Sequence, residues 1–112
     1  MPRLNRQKNS PYFIISTASS KKEAHQLSRL LLQRKLAACV NIVYPIQSFF
    51  WWRRRINRAN EALLLIKTVK SQVVAVESLL KKHHSYDVPE IIGWPIQKIN
   101  QAYFDWLMTS LR

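Results

Sequence analysis

The sequence predicts an α+β fold of the ferredoxin-like kind, an antiparallel sheet in βαββαβ order with an additional C-terminal helix. Three observations predict it. Four segments rich in β-branched and aromatic residues read as strands. Three segments between and after them carry apolar residues at helical spacing. The strand segments are apolar on both faces, although two helices can cover only one face of a sheet.

Tyr12 to Thr17 is the first strand. Ser20 and Glu23 have the spacing of a capping box, in which the hydroxyl takes a free N–H and the carboxylate reaches back. Ala24, Leu27, Leu30 and Leu31 give that helix its stripe, and Arg34 and Lys35 suit its negative end. Leu36 to Tyr44 is the second strand, and Pro45 fits a bulge or an edge before Ile46 to Trp52 extends again. Arg53 to Asn60 is polar and basic and predicts a long hairpin tip. Glu61 to Thr68 is the third strand. Ser71 is placed to cap a second helix carrying Val73, Val76, Leu79 and Leu80. Val88 to Ile96 is the fourth strand, and Asn100 caps a last helix with Tyr103, Trp106, Leu107 and Leu111.

On the strands, Phe13 and Ile15 oppose Ile14, and Leu63 and Leu65 oppose Leu64 and Ile66. An antiparallel sheet open to water alternates with polar residues. A bare apolar face of this size is a sticky patch, and the third helix is too short to cover it. Other subunits must cover it, so an obligate oligomer is expected.

Composition narrows the function classes. With 112 residues and 47% hydrophobic content, one domain spanning residues 11–112 is expected. Residues 1–10, polar and basic with Pro2, read as a loose tail. They lack the apolar core of a secretory signal, and no apolar run approaches the ~20 residues of a membrane helix. The lone cysteine, Cys39, permits no internal disulfide and no multi-cysteine zinc site. A cytoplasmic protein without a membrane partner is expected. The single glycine, Gly93, rules out phosphate-cradling glycine loops and a GxSxG nucleophile turn. With no carboxylate pair, no Ser-His-Asp order and no HExxH, the chain reads as a non-enzyme. A net charge of +12 attracts polyanions nonspecifically, or is simply a solvated surface.

Leu36-Ala-Ala-Cys-Val-Asn-Ile42, Leu64-Leu-Ile-Lys-Thr68 and His84-Ser-Tyr-Asp-Val-Pro-Glu-Ile91, with Trp52 and the stretch from Tyr103 to Trp106, resemble the signatures of the CutA divalent-cation tolerance family. The resemblance runs in order from about Phe13 to the C-terminus. It implies a ferredoxin-like subunit in a tight homotrimer similar in shape to the PII signalling proteins, a role in metal-ion tolerance and no catalytic activity. It also implies copper as the one candidate cofactor, with the family's paired histidines falling on His83 and His84. The chain departs from the family in three places. The cysteine of copper-binding members falls on Ser16, a poor substitute for a soft thiolate. The usual Trp-Glu-Gly-Lys at the hairpin tip is Trp52-Arg53-Arg54-Arg55, and Ser85 stands where proline is usual.

Each candidate residue has a plain structural reading beside the functional one. His83 and His84 could hold a divalent metal ion, or be helix-end histidines interacting with the dipole. Adjacent helical residues point ~100° apart, so both face one ion only if the helix ends between them. Cys39 is a thiolate ligand or a small hydrophobe. Tyr86 and Glu90 form a polar cluster in an apolar setting, and Glu90 either pairs with Lys67 or lines a cleft between subunits, where its carboxyl could be perturbed. Arg53, Arg54, Arg55 and Arg58, interleaved with Phe49 to Trp52, either bind nucleic acid or another anion, or stay in water while the aromatics pack on a neighbouring subunit. A PII-like small-ligand role at the subunit clefts is the remaining alternative, by analogy of shape.

Overall fold

The computed structural model describes residues 9–112. The expected tail therefore lies outside the described residues except for Asn9 and Ser10, and the Ser10 carbonyl accepts the Lys70 N–H at 2.9 Å. Four strands and three helices follow in the expected order: β1 (Pro11–Ala18), α1 (Lys21–Gln33), β2 (Cys39–Trp52), β3 (Arg55–Val69), α2 (Val73–His83), β4 (Ile91–Pro95) and α3 (Gln101–Ser110). The sheet order is β2-β3-β1-β4, with every pair antiparallel.

Strand alternation sorts the side chains. Ile14, Ser16 and Ala18 of β1 lie beside Ile66, Leu64 and Ala62 of β3, and all six are buried. Ala24, Leu27 and Leu31 of α1 and Val76, Leu79 and Leu80 of α2 close this core. The stripe spacing that predicts the two helices is thus the contact surface itself. Gly93, on the same face opposite Ile14, leaves room for the Tyr12 ring; a Cβ there would meet Tyr12 Cε1 at 2.9 Å. The opposite face carries Phe13 and Ile15 of β1, Leu63 and Leu65 of β3, and Ile92 and Trp94 of β4. Ile92 and Trp94 are exposed, and the Trp94 ring lies 5.1 Å from that of Phe13.

The helix ends follow local chemistry. Ser20 caps α1 by accepting the Glu23 N–H at 3.0 Å. Glu23 reaches back one residue further than a capping box requires, to the N–H and hydroxyl of Ser19, both at 2.9 Å. At the other end Leu36 N–H donates to Leu31 O and Lys35 N–H to Leu32 O, the paired bonds of a Schellman stop, with Lys35 at a φ of 57° where glycine is usual. Asn100 caps α3 by accepting the Tyr103 N–H. Ser71 does not cap α2. It sits inside a 3-10 turn, Lys70–Gln72, that starts the helical path early, and no side chain caps either segment. The fourth strand is shorter than expected because Val88, Pro89 and Glu90 belong to the connection before it. Pro45 occupies the expected irregularity: the β2–β3 register shifts between Val43 and Ile46, and the Tyr44–Pro45 peptide is cis.

The hairpin tip corrects the expected long loop. Arg55 to Asn60 are paired strand residues, with Trp52 opposite Arg55, Trp51 opposite Ile56 and Phe49 opposite Arg58. Only Arg53 and Arg54 turn, at φ of 51° and 62°. Ladder bonds do not depend on side-chain polarity, so a polar run protruding into water still pairs as strand. Asn57 braces the turn by donating to the carbonyls of Trp52 and Arg55, both at 3.1 Å. A two-residue hairpin turn with both residues left-handed normally takes Asn-Gly, and a non-glycine residue there is strained by about 1 kcal/mol or more. Arg53→Asn/Arg54→Gly is expected to stabilise the fold by about 1 kcal/mol net of the lost glycine entropy, read as a higher denaturant midpoint at unchanged slope. A lower midpoint would show that the arginines hold the tip together.

Candidate functional site

The connection from α2 to β4 is pinned at His84, Ser85, Tyr86 and Glu90. The helix ends at His83, and His84 takes an extended conformation (φ −77°, ψ 145°) that turns its ring inward to full burial. Tyr86 N–H donates to His84 Nδ1 at 3.0 Å. Nδ1 is therefore the acceptor nitrogen of a neutral ring, and the proton sits on Nε2, which donates to the Thr17 carbonyl at 2.7 Å. Ser85 donates its N–H and its hydroxyl to the Glu23 carboxylate at 2.7 and 3.0 Å. The Tyr86 hydroxyl donates to Glu61 Oε2 at 2.8 Å, and the buried Ser16 hydroxyl to the Glu90 carbonyl at 2.7 Å. One seven-residue segment is thereby tied to β1, β3 and the start of α1.

The charges answer to these bonds. Burial alone would raise the Glu23 carboxyl, but hydrogen bonds from Ser19 and Ser85 outweigh it and hold it below its ordinary value. A carboxyl held low steadies the fold above its ordinary value, and this contribution fades as pH falls through the lowered one. Burial first, then the hydrogen bond and negative charge of Glu61, with Glu23 adding, push the Tyr86 phenol up to about 12. Tyr86 is therefore a hydrogen-bond donor throughout the physiological range.

Between this segment and the β2–β3 hairpin lies a cleft of about 520 Å³. Phe50, Trp52 and Tyr86 supply aromatic surface with Phe49 bordering it, Thr17 and Ser48 supply hydroxyls, and Glu61, Asp87 and Glu90 supply carboxylates. These are three of the six acidic residues in a chain of net charge +12. Negative charge is concentrated where the rest of the surface is positive, an arrangement that favours cations.

The residues singled out from the sequence divide into separate groups. Tyr86 and Glu90 line the cleft, although Glu90 lies just before the strand. Cys39 and Lys67 do not line it; they sit opposite each other across β2 and β3. Lys67 bonds the Asn41 side chain and lies 3.9 Å from Cys39 Sγ, so of the two readings of Glu90 the pair with Lys67 is not formed within the chain. Tyr103 of α3 joins them, its phenol raised by burial and then by the Cys39 thiol. His83 and His84 are not brought together as a chelate. His83 is exposed, beside Glu23 and Gln26 in a shallow groove along α1, while both His84 nitrogens are occupied. Among the described residues no group of three or more His, Cys, Asp and Glu side chains converges to hold a metal ion. Arg53, Arg54, Arg55 and Arg58 share the hairpin tip, with the Arg53 guanidinium 5.5 Å from the Trp52 ring centre. From the sequence Glu23 reads only as a helix cap, not as the partner of Ser85, and Glu61 is not singled out. The one available sign for Glu61 is a lone carboxylate opening the apolar run Ala62 to Ile66.

The chain matches the family described as CutA1 divalent ion tolerance protein over residues 12–110. A divalent-cation tolerance protein CutA of Archaeoglobus fulgidus is 42% identical over 95 residues, 85% of this chain and 92% of that protein. The chloroplastic protein CutA 1 of Oryza sativa is 42% identical over 96 residues, 86% of this chain but 54% of that protein, so the chain spans about half the length of this relative. The crystal structure of CutA1 from Oryza sativa superimposes with a TM-score of 0.90 at 38% identity, covering 95% of this chain and 97% of the other. No enzymatic activity is carried by the family description or by these names. A match over nearly the whole described sheet and its helices, at these identities, leaves one assignment: the chain belongs to the CutA1 divalent ion tolerance protein family.

Proposed function

We propose that the chain serves divalent-cation tolerance as a non-enzymatic homotrimer in the reducing cytoplasm, and that it takes its cation in the carboxylate-lined cleft rather than at the histidine pair. The observation that carries this reading is that Glu61, Asp87 and Glu90 line one cleft of a chain with only six acidic residues, spread along its wall rather than closing on one point as direct metal ligands would. Oxygen donors suit hard divalent ions held largely through their hydration shell, whereas copper prefers thiolate and imidazole. The buried Ser16 hydroxyl, bonded to the Glu90 carbonyl, offers no soft ligand, and the His84 ring has no free nitrogen. The uncovered sheet face supports self-assembly, and the one free cysteine suits a reducing compartment. A PII-like small-ligand role draws on the same cleft through the ring faces of Phe50, Trp52 and Tyr86.

Calorimetric titration of manganese(II), zinc(II) and copper(II) into the reduced protein tests the assignment. Asp87→Asn/Glu90→Gln is expected to weaken manganese binding at least tenfold, and His83→Ala to leave it unchanged. A saturable copper site near one ion per subunit, lost in His83→Ala, would return the metal role to the histidine and overturn the cleft.

A further inference from the structure

We propose that the tip of the β2–β3 hairpin is a docking site for single-stranded nucleic acid. Cation binding in the cleft leaves this part of the chain unused. Phe49 and Trp51 alternate with Phe50 and Trp52, so the two pairs project from opposite faces of the hairpin. The Phe50 and Trp52 face is continuous with the cleft and with the uncovered sheet face. The other face carries Phe49, 65% exposed, and Trp51, 72% exposed, with Arg58 directly across from Phe49 and Ile56 across from Trp51. Neither ring lies on the bare sheet face, although Phe49 also borders the cleft.

Their spacing and surroundings define the ligand. Same-face neighbours on a strand stand roughly 6.7 Å apart, which lets two unstacked bases of an extended strand each lie on one ring. Arg58 shares their face, Arg53 and Arg54 form the apex just beyond them, Arg55 lies across from Trp52 on the other face, and no acidic residue occurs from Pro45 to Asn60. Aromatic faces set among arginines are the arrangement that binds single strands without reading sequence. The two left-handed turn positions are held by arginines where Asn-Gly would relax the backbone, so the charge at the apex is kept against a conformational cost. A duplex keeps its bases stacked inside and offers only phosphates to such a tip. A bilayer would meet two arginines at the apex, the part that must go deepest.

Anisotropy of a labelled twenty-nucleotide oligo(dT), a duplex of equal length and phosphatidylserine-containing vesicles, each titrated with the full chain, tests the proposal. Oligo(dT) is expected to bind with quenched tryptophan emission. Four phosphate contacts at ~0.7 counterions each give a log–log salt slope of about −3, and so roughly a 50-fold loss between 50 and 200 mM salt. Trp51→Ala is expected to cost about tenfold on oligo(dT), leaving duplex affinity and oligomeric mass unchanged, while Trp51→Phe retains most of the binding. Arg53→Gln/Arg54→Gln is expected to halve the salt slope. Equal affinity for single strand and duplex, insensitive to Trp51→Ala, would mean that charge alone acts and would overturn the proposal. So would absence of oligo(dT) binding at 50 mM salt, or vesicle binding with blue-shifted tryptophan emission at protein concentrations that leave oligo(dT) free.

Discussion

His84→Ala is expected to destabilise the fold by about 3 kcal/mol and to release the 84–90 segment. The ring is fully buried, so truncation leaves a cavity in place of packed atoms, including its contact with the Tyr86 ring at 4.9 Å. It also strands two backbone groups. The Thr17 carbonyl and the Tyr86 N–H each lose a partner, at about 1 kcal/mol or more apiece. The remaining ties, from Ser85 to Glu23 and from Tyr86 to Glu61, then hold a segment without its central post. Chemical unfolding measures the first effect. Hydrogen exchange measures the second, as faster exchange confined to the amides of residues 85–90. His84→Gln keeps a donor but loses the acceptor at the ring's other side, and should fall between the two. His83→Ala, on an exposed side chain, is expected to stay within about 0.5 kcal/mol of the unaltered protein. If His84→Ala behaves like His83→Ala in both measurements, the histidine does not organise the cleft wall.

The contrast between these two adjacent histidines marks what the sequence could reveal. The helix does end between them, as a shared metal ion would require, yet the extended backbone at His84 sends its ring into the protein while His83 stays on the surface. Helix periodicity locates the break; it does not say which way the next residue turns. Strands and helices were legible because Ile14, Leu64 and Ile66, and Leu27, Leu31 and Leu80, repeat at the periods of the elements they bury. The hairpin was misjudged at Arg55 to Asn60 because polarity was taken for loop, whereas the cross-strand pairs Trp51–Ile56 and Phe49–Arg58 keep the ladder going. The motif that singles out Tyr86 and Glu90 falls on the cleft wall, whereas Lys67, one candidate partner for Glu90, does not. Lys67 stands six residues along β3 from Glu61, roughly 20 Å at strand rise, at the opposite end of the sheet. The Tyr86–Glu61 and Ser85–Glu23 bonds span 25 and 62 residues of sequence, so only the folded topology brings their partners together.

Ile92→Asp is expected to break the assembly while leaving the subunit folded. Within one chain Ile92 is half exposed, on the sheet face that neither α1 nor α2 covers, so a carboxylate there remains hydrated and costs the isolated subunit little. Beside it lie Ile15 and the Phe13–Trp94 pair, and the same face continues through Leu65 to Val43, a run of apolar side chains of the kind that marks a contact site. When other copies cover that face, the same carboxylate is buried without a partner, at several kcal/mol per interface and once in every subunit. An oligomer held by apolar contact cannot absorb that cost in all its interfaces at once. Light scattering on the eluting protein should therefore move from about three times the 13.3 kDa chain toward one, with circular dichroism unchanged; Ile92→Val, which keeps the apolar contact, should retain the larger mass. Precipitation of the variant would still place Ile92 in an interface, provided that Ile92→Val stays soluble. An unchanged mass for Ile92→Asp would mean that the bare sheet face is not where copies meet, and the assembly surface would then have to be sought at the hairpin, where Phe50 and Trp52 border the cleft.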